Sequence, residues 1–147
     1  CLNTLASNLK LACHLMTEHG IEPVFEMING TDMPRFLVQN IAQAQEMLEA
    51  VQHPALKMQY DCYHMAMMGE DVLEGLKENI DQIGHIQFAD CPGRHEPDTA
   101  ELNFAQIFQW LQHSQYQGYI AAEYKPQYTS AQSFEWKNKY FSNDVNT

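Results

Sequence analysis

The chain has 147 residues, of which 45% are hydrophobic, and this size and composition are typical of one globular domain. Its 8 basic and 19 acidic residues give a formal net charge of -11; because this charge repels phosphate backbones and anionic membrane surfaces, we expect neither a nucleic acid nor a membrane as a partner. The four cysteines form no CxxC pair and no apolar run approaches the roughly 20 residues of a membrane span, so the sequence predicts a cytoplasmic protein with reduced thiols.

Four segments carry apolar residues at the spacing of an amphipathic helix. Gly20 stands where the first helix should end with a left-handed residue, Gly84 should close the third helix, and Asn103 is the predicted N-cap of the fourth. The four apolar stripes are Leu5, Leu9, Ala12 and Leu15; Ile41, Ala44, Leu48 and Val51; Leu73, Leu76, Ile80 and Ile83; and Phe104, Ile107, Phe108 and Leu111.

Short apolar strands separate these helices, and this alternation predicts a parallel α/β sheet with right-handed crossovers. The strand candidates are about 23–28, "LKMQYDCYHM" (56–65), the opening of "HIQFADCPGRHEP" (85–97) and "GYIAAEY" (118–124). An open doubly wound sheet would be expected to have a glycine-rich phosphate loop, which this sequence lacks. A whole (β/α)8 TIM barrel takes about 250 residues. We therefore expect residues 1–126 to form half of one, and residues 127–147 to form a helical tail that packs on a neighbour and ends in a frayed segment.

Each strand candidate has one polar residue near its C-terminal end: Glu26, Asp61, Gln87 and Glu123. The C-terminal ends of parallel strands form one rim, so we expect these four side chains to converge. Three carboxylates at one place repel each other unless a cation lies between them. Their hard oxygen donors favour Mg²⁺ or Mn²⁺ over Zn²⁺. For any one of these residues the alternative is an ordinary solvated or ion-paired side chain.

Three further residues follow the strand ends closely. His64 could hydrogen-bond a substrate oxygen or could be a loop histidine bonded to the backbone. Arg94 could hold a substrate carboxylate, or could form a surface ion pair with Glu96 or Asp98. Lys125 could face the same site or could only neutralise neighbouring acids.

Several long motifs resemble the C-terminal half of hydroxypyruvate isomerases, within the xylose-isomerase-like barrel superfamily. They are "FEMINGTDMPRFLV", "MQYDCYHM", "HIQFADCPGRHEP", "ELNF" and "GYIAAEYKP", and the resemblance runs from about residue 20 to residue 126. It implies a TIM barrel with a divalent-metal site in which Glu26 and Glu123 are the catalytic acid/base pair. Asp61 and Gln87 would complete the metal ligands, and His64 and Arg94 would bind substrate, as in related ketose epimerases.

The reaction implied by this resemblance is the interconversion of hydroxypyruvate and tartronate semialdehyde through a metal-stabilised enediolate. The alternatives are a related sugar-acid or ketose isomerase or epimerase, such as a 2-oxo-tetronate isomerase, an abasic-site endonuclease, and a non-catalytic half-barrel. The sequence departs from the family pattern at Asp98 and Ala100, where glycines would be expected. A half-barrel has two open sheet edges, so we expect the chain to pair with another copy as a homo-oligomer or to be part of a longer polypeptide.

Overall fold

The computed structural model describes residues 1–141, in which four parallel strands form one sheet in the order β1-β2-β3-β4. A sheet whose spatial order follows the chain order is the arrangement of a closed barrel, whereas a doubly wound sheet reverses its order at a switch point. The elements are α1 (Leu2–Glu18), β1 (Val24–Glu26), α2 (Ile41–Val51), β2 (Lys57–Asp61), α3 (Cys62–Met67), α4 (Val72–Asn79), β3 (Ile83–Phe88), α5 (Phe104–His113), β4 (Tyr119–Ala122) and α6 (Glu135–Phe141), with 3-10 turns at Ile80–Gln82 and Gln132–Phe134.

The helix ends follow the capping chemistry of the sequence. The Asn103 side chain accepts a hydrogen bond from the Gln106 N–H at 3.2 Å, which confirms the predicted N-cap of α5. Gly20 follows α1 with a φ of +70°, the left-handed conformation predicted for it. Asn40 and Asp71 cap α2 and α4 in the same way as Asn103 caps α5. Within residues 1–141, no helix combines the length and the apolar character needed to cross a membrane.

The two faces of the sheet differ in chemistry because side chains alternate along each strand. Met58, Tyr60 and Ile86 point to the helical layer and are fully buried. The opposite face, which we call the inner face, is polar along β2 and β3, and on β4 its residue Tyr119 is 84% exposed. The helices therefore cover one side of the sheet, and the candidate functional residues lie on the other.

The C-terminal segment packs on its own chain through aromatic rings. Trp136 of α6 makes an edge-to-face contact with Phe88 at 5.2 Å between ring centroids, and Phe108 contacts Tyr140 and Phe141 at 5.1 and 5.2 Å. This packing joins α6 to α5 and to the outer side of β3. The frayed end predicted for the tail falls on residues 142–147, outside the described residues.

Two predicted boundaries are wrong. The second strand candidate ends at Asp61 and not at Met65, because the Asp61 side chain accepts a hydrogen bond from the Tyr63 N–H at 2.9 Å and caps α3. Ile83 and Gly84 belong to β3 and not to the preceding helix. A Cβ atom at Gly84 would lie 2.8 Å from Val24 Cγ1 and 3.0 Å from Lys57 Cβ, so the glycine permits close packing between strands instead of ending a helix.

Candidate active and metal site

The strand register places the four predicted metal ligands on the inner face. Asp61 at the end of β2 lies opposite Gln87 of β3, and Gln87 lies opposite Ala121 of β4. Glu123 follows Ala121 by two residues. Its N–H donates to the Phe88 carbonyl at 3.0 Å, which extends the hydrogen bonding between β3 and β4 by one more bond. Glu26 lies opposite Gln59, two residues before Asp61. Because alternate residues share a face, all four side chains lie on the inner face.

Glu26, Asp61 and His64 form the tightest group of potential ligands. His64 Nε2 lies 3.9 Å from Glu26 Oε1 and 3.7 Å from Asp61 Oδ2. One donor atom from each of the three side chains lies within 4.8 Å of the others, an arrangement that could hold a metal ion. His64 reaches this group from the first turn of α3. The interpretation of His64 as a loop residue is therefore wrong, whereas its expected location beside the acids is supported.

Arg94 connects the group to Glu123. Its Nη2 atom lies 2.6 Å from Glu123 Oε2 and 3.3 Å from Asp61 Oδ2, and its guanidinium lies 5.0 Å from the centre of the Tyr63 ring. The alternative, that Arg94 forms an ion pair with Glu96 or Asp98, is wrong, because its partners are Asp61 and Glu123. Asp98 instead accepts hydrogen bonds from α6, and the loop after β3 directs Arg94 into the site.

That loop is held by Asp90, whose carboxylate is fully buried. Its Oδ1 accepts hydrogen bonds from the N–H groups of Cys91 (2.8 Å) and Leu102 (3.0 Å), and its Oδ2 accepts from Thr99 (2.9 Å) and Ala100 (2.8 Å). The main chain adds two bonds, from the Arg94 N–H to the Asp90 carbonyl and from the Lys125 N–H to the Arg94 carbonyl. Asp90 is a supporting residue that the sequence did not single out for this purpose.

Gln59 is a second residue that the sequence did not predict. Its Nε2 donates to Gln87 Oε1. Burial raises the pKa of Glu26, and the neighbouring Gln59 side chain opposes this effect. Gln59 precedes Asp61 by two residues, so the alternation of β2 could have placed it on the inner face. Gln59 thus lies between Glu26 and Gln87 on the inner face, opposite Glu26 in the strand register and hydrogen-bonded to Gln87.

The electrostatics of the site favour a cation. Burial raises the pKa of Asp61 to about 7, while the Tyr63 N–H and Arg94 lower it and the nearby Glu26 and Glu123 raise it. Burial, assisted by Arg94, lowers the pKa of His64 to about 4, so its ring is neutral near pH 7. Without a strong cation nearby, such buried acids are driven to take up protons. Carboxylate and amide oxygens are also the donors that hard divalent ions prefer, so the site fits a divalent metal ion.

The acids open onto a cleft of about 560 Å³. Glu26, His64, Arg94 and Glu123 are all in its wall, whereas the fully buried Asp61 lies behind them. Gln87 is not a lining residue. The remaining lining residues are Ile28, Asp32, Met33, Tyr63, Gly93 and Lys125.

A hydrogen-bonded turn after β1 supports His64 from behind. Asn29 Oδ1 accepts from the N–H groups of Thr31 (3.1 Å) and Asp32 (2.8 Å). Asn29 Nδ2 lies 3.0 Å from Asp32 Oδ2 and 2.6 Å from His64 Nδ1, and the Tyr63 hydroxyl donates to Asp32 Oδ2 at 2.8 Å. Asn29 is fully buried and His64 is 3% exposed, so this turn fixes the imidazole within the site.

Comparison with known proteins gives one consistent group of relatives. The chain is 40% identical over 142 residues to a putative hydroxypyruvate isomerase of Danio rerio, covering 95% of this chain and 51% of that protein. It is 36% identical to the hydroxypyruvate isomerase of Escherichia coli strain K12, covering 93% and 53%. It is also 36% identical to a 2-oxo-tetronate isomerase of Cupriavidus necator, covering 95% and 54%. The chain thus spans about half the length of these curated relatives.

Solved structures agree on the fold. A structure described as an AP endonuclease of family 2 from Brucella melitensis superposes with a TM-score of 0.90 at 29% identity, over 95% of this chain and 54% of that one. A 3-keto-D-glucoside 4-epimerase from E. coli superposes with a TM-score of 0.81 at 23% identity, over 94% and 53%. The predicted half-barrel is confirmed, and the family model described as xylose isomerase-like TIM barrel matches residues 1–140. The chain belongs to the xylose isomerase-like TIM barrel family.

Proposed function

We propose that the intact protein is an isomerase that interconverts hydroxypyruvate and tartronate semialdehyde. The observation that carries this proposal is that Glu26 at the end of β1 and Glu123 just after β4 open onto one cleft together with His64 and Arg94. Relatives named hydroxypyruvate isomerase support the substrate. A relative named 2-oxo-tetronate isomerase makes a four-carbon oxo acid the second candidate substrate.

The isomerisation moves a carbonyl group by one carbon, so one proton must leave a carbon atom and another must be added to its neighbour. Two carboxylates facing the same substrate can share this work as base and acid. Glu26 is half-buried in the wall of the cleft, where its carboxylate can accept a proton from a substrate carbon and return it. Glu123 accepts a hydrogen bond from Arg94 at 2.6 Å, which orients its carboxylate toward the cleft.

The residues that would hold a divalent cation, which we propose to be Mg²⁺ or Mn²⁺, are Glu26, Asp61, Gln87 and Glu123. When bound, such an ion acts as a Lewis acid that polarises the substrate carbonyl. The Oδ1 atom of Asp61 is engaged by the cap of α3, which leaves Oδ2 as the oxygen that faces the site. Gln87 would contribute a neutral oxygen next to Asp61.

The carboxylate of the substrate needs a cationic partner, and Arg94 is suited to this role. The contact with the face of Tyr63 holds the guanidinium plane, and the bond from the Lys125 N–H fixes the Arg94 main chain. A planar guanidinium binds a carboxylate through paired hydrogen bonds. Lys125, which lines the same cleft, adds a second positive charge for an anionic substrate.

The experiment that tests this proposal follows deuterium by NMR. The intact protein with Mg²⁺ in D₂O is incubated with hydroxypyruvate and, separately, with a 2-oxo-tetronate. We expect deuterium at the carbon that loses and regains its proton, and Glu123→Gln should slow exchange by about 10² to 10⁴, the range for loss of a general base. Glu49→Gln, at an exposed position of α2, is the matched control and should keep wild-type exchange.

Two outcomes would contradict the proposal. If Glu123→Gln keeps its fold by circular dichroism and exchanges within about tenfold of wild type, Glu123 is not a catalytic base. If the protein leaves both oxo acids unchanged and cleaves an abasic-site DNA duplex, it is a nuclease; the charge of -11 argues against that outcome because it repels DNA.

A further inference from the structure

The orientation of the Asn29 amide is determined by its neighbours. Its Oδ1 accepts two main-chain N–H bonds, from Thr31 and Asp32, while its Nδ2 lies 3.0 Å from the carboxylate oxygen Asp32 Oδ2. Exchanging the amide oxygen and nitrogen would place NH₂ against two donors and a carbonyl oxygen against a carboxylate. The group that faces His64 is therefore the NH₂ donor.

This orientation decides where His64 carries its proton. Asn29 Nδ2 lies 2.6 Å from His64 Nδ1, and the main-chain N–H of Asn29 also points to Nδ1 at 3.5 Å. A neutral imidazole has one N–H donor and one acceptor nitrogen. With two donors directed at Nδ1, that nitrogen must be the acceptor, and the proton lies on Nε2.

We propose that Asn29 is a positioning residue that holds His64 in the Nε2–H tautomer, so that the ring donates a hydrogen bond into the cleft and does not ligate the metal ion. The tautomer follows from the hydrogen bonds alone; the role of the donated bond toward a substrate oxygen rests on the proposed function. Nε2 is 3.9 Å from Glu26 Oε1 and 3.7 Å from Asp61 Oδ2, beyond the distance of a normal hydrogen bond. The donor is therefore available to a substrate oxygen in the cleft that His64 lines.

The same argument separates two possible ligand sets for the cation. The group of Glu26, Asp61 and His64 could hold a metal by its spacing, but a bond from Nε2 to a metal requires the proton to sit on Nδ1, against the two Asn29 donors. The oxygen ligands Glu26, Asp61, Gln87 and Glu123 make no such demand. Asn29 thus favours the oxygen side chains over His64 as ligands of the cation, without touching the reacting atoms.

NMR of the wild-type protein is enough to test the proposed tautomer of His64. The intact protein is labelled with ¹⁵N-histidine, its two ring nitrogens are observed by long-range ¹H–¹⁵N NMR, and the His64 signals are identified by their loss in His64→Gln. We expect an unprotonated Nδ1 and a protonated Nε2, with the same pattern after addition of Mg²⁺. A proton on Nδ1, on both nitrogens or averaged between them would overturn the proposal, as would loss of the Nε2 proton on addition of Mg²⁺.

A variant pair tests the part played by Asn29. In Asn29→Asp a carboxylate oxygen replaces the amide NH₂, so the proton should move to Nδ1. The matched control is Asn40→Asp, since Asn40 also accepts a main-chain N–H bond, from Gln43 at 2.9 Å, but caps α2 away from the site; its His64 pattern should equal that of wild type. An unchanged pattern in folded Asn29→Asp would overturn the assignment to Asn29, and if this variant unfolds, the wild-type spectrum remains decisive. Because the spectra need no turnover, a protein that lacks isomerase activity but shows the expected tautomer would count against the proposed function alone.

Discussion

Replacing Asp90 by asparagine tests how the loop that carries Arg94 is held in place. The buried carboxylate accepts four main-chain N–H bonds, two at each oxygen. Asparagine keeps one oxygen and puts an NH₂ group against the other two donors. A hydrogen bond to a charged group contributes about 1.5–3 kcal/mol, so losing two of the four should lower the free energy of unfolding by about 3 kcal/mol or more.

The measurement is urea unfolding of the intact protein, combined with hydrogen exchange at the amides of Thr99 and Ala100. The exchange data are needed because a loop that detaches locally would lose protection without the full change in global stability. Asp71→Asn is the matched control. Asp71 accepts one main-chain N–H bond, from Glu74 at 3.1 Å, and asparagine caps a helix about as well as aspartate does, so its stability should change by less than about 0.5 kcal/mol.

The result that refutes this reasoning is a folded Asp90→Asn variant that loses less than about 1 kcal/mol and keeps both amides protected. In that case the main-chain bonds of Arg94, to the Asp90 carbonyl and from the Lys125 N–H, would be sufficient to hold the loop. The buried carboxylate would then be replaceable, and the position of Arg94 would not depend on it.

Three further predictions concern the metal ligands and the C-terminal helix. Gln87→Leu should weaken Mn²⁺ binding by about 10- to 100-fold in calorimetry, and an unchanged affinity would remove Gln87 from the ligand set. Burial raises the pKa of Asp61 from 3.8 to about 7, so between these pH values the folded protein binds more protons than the unfolded chain and the cation-free protein loses stability as pH rises. The increase in melting temperature on adding Mn²⁺ should therefore be larger at about pH 8 than at about pH 6, and Asp61→Asn should remove this difference; an equal increase in wild type would contradict it. Asp98 has a φ of +71° and accepts hydrogen bonds from Lys139 (2.8 Å) and Tyr140 (2.6 Å). Asp98→Ala keeps the unfavourable φ and loses both bonds, so its melting temperature should be lower than that of wild type; an unchanged melting temperature would show that these exposed bonds contribute nothing.

The sequence predicted the sheet and the face on which the polar residues lie because both depend on short-range periodicity. Alternation along a strand fixes which side chains share a face, and parallel strands end at one edge. Glu26, Asp61, Gln87 and Glu123 could therefore be placed on one face without coordinates. Their roles as ligands and as an acid/base pair stay predictions, as do the homo-oligomer and the cytoplasmic location.

The helix α3 could not be predicted because strand and helix are equally compatible with a short apolar run. Residues 56–65 contain a strand followed directly by a helix, with no glycine or proline between them. The boundary is set by Asp61, which caps α3 with one carboxylate oxygen and faces the site with the other. The sequence singled out Asp61 for the site, and the same residue gave no separate signal for its second use as a helix cap.

Asn29 and Asp90 show a different limit of sequence reasoning. Asparagine and aspartate are common in turns, where their side chains bond to nearby main-chain N–H groups. Both residues do this here, so their local bonding is ordinary for their residue types. What separates them from ordinary turn residues is a contact with residues distant in the chain: Asn29 meets a ring 35 positions later, and Asp90 orders a loop whose arginine reaches strands β2 and β4. Only the fold creates those contacts.

The charges around the cleft link the cation to the substrate. Glu26, Asp32 and Glu123 line it, Asp61 lies directly behind, and the basic lining residues are Arg94 and Lys125. Arg94 is already shared between Asp61 and Glu123, so the acids compete with an anionic substrate for the same guanidinium. A divalent ion held by these carboxylates would take over their neutralisation, and Arg94 would become available to a substrate carboxylate. If the proposed function is right, the acids that would attract a metal are thus the same groups that would make binding of an oxo-acid substrate depend on that metal.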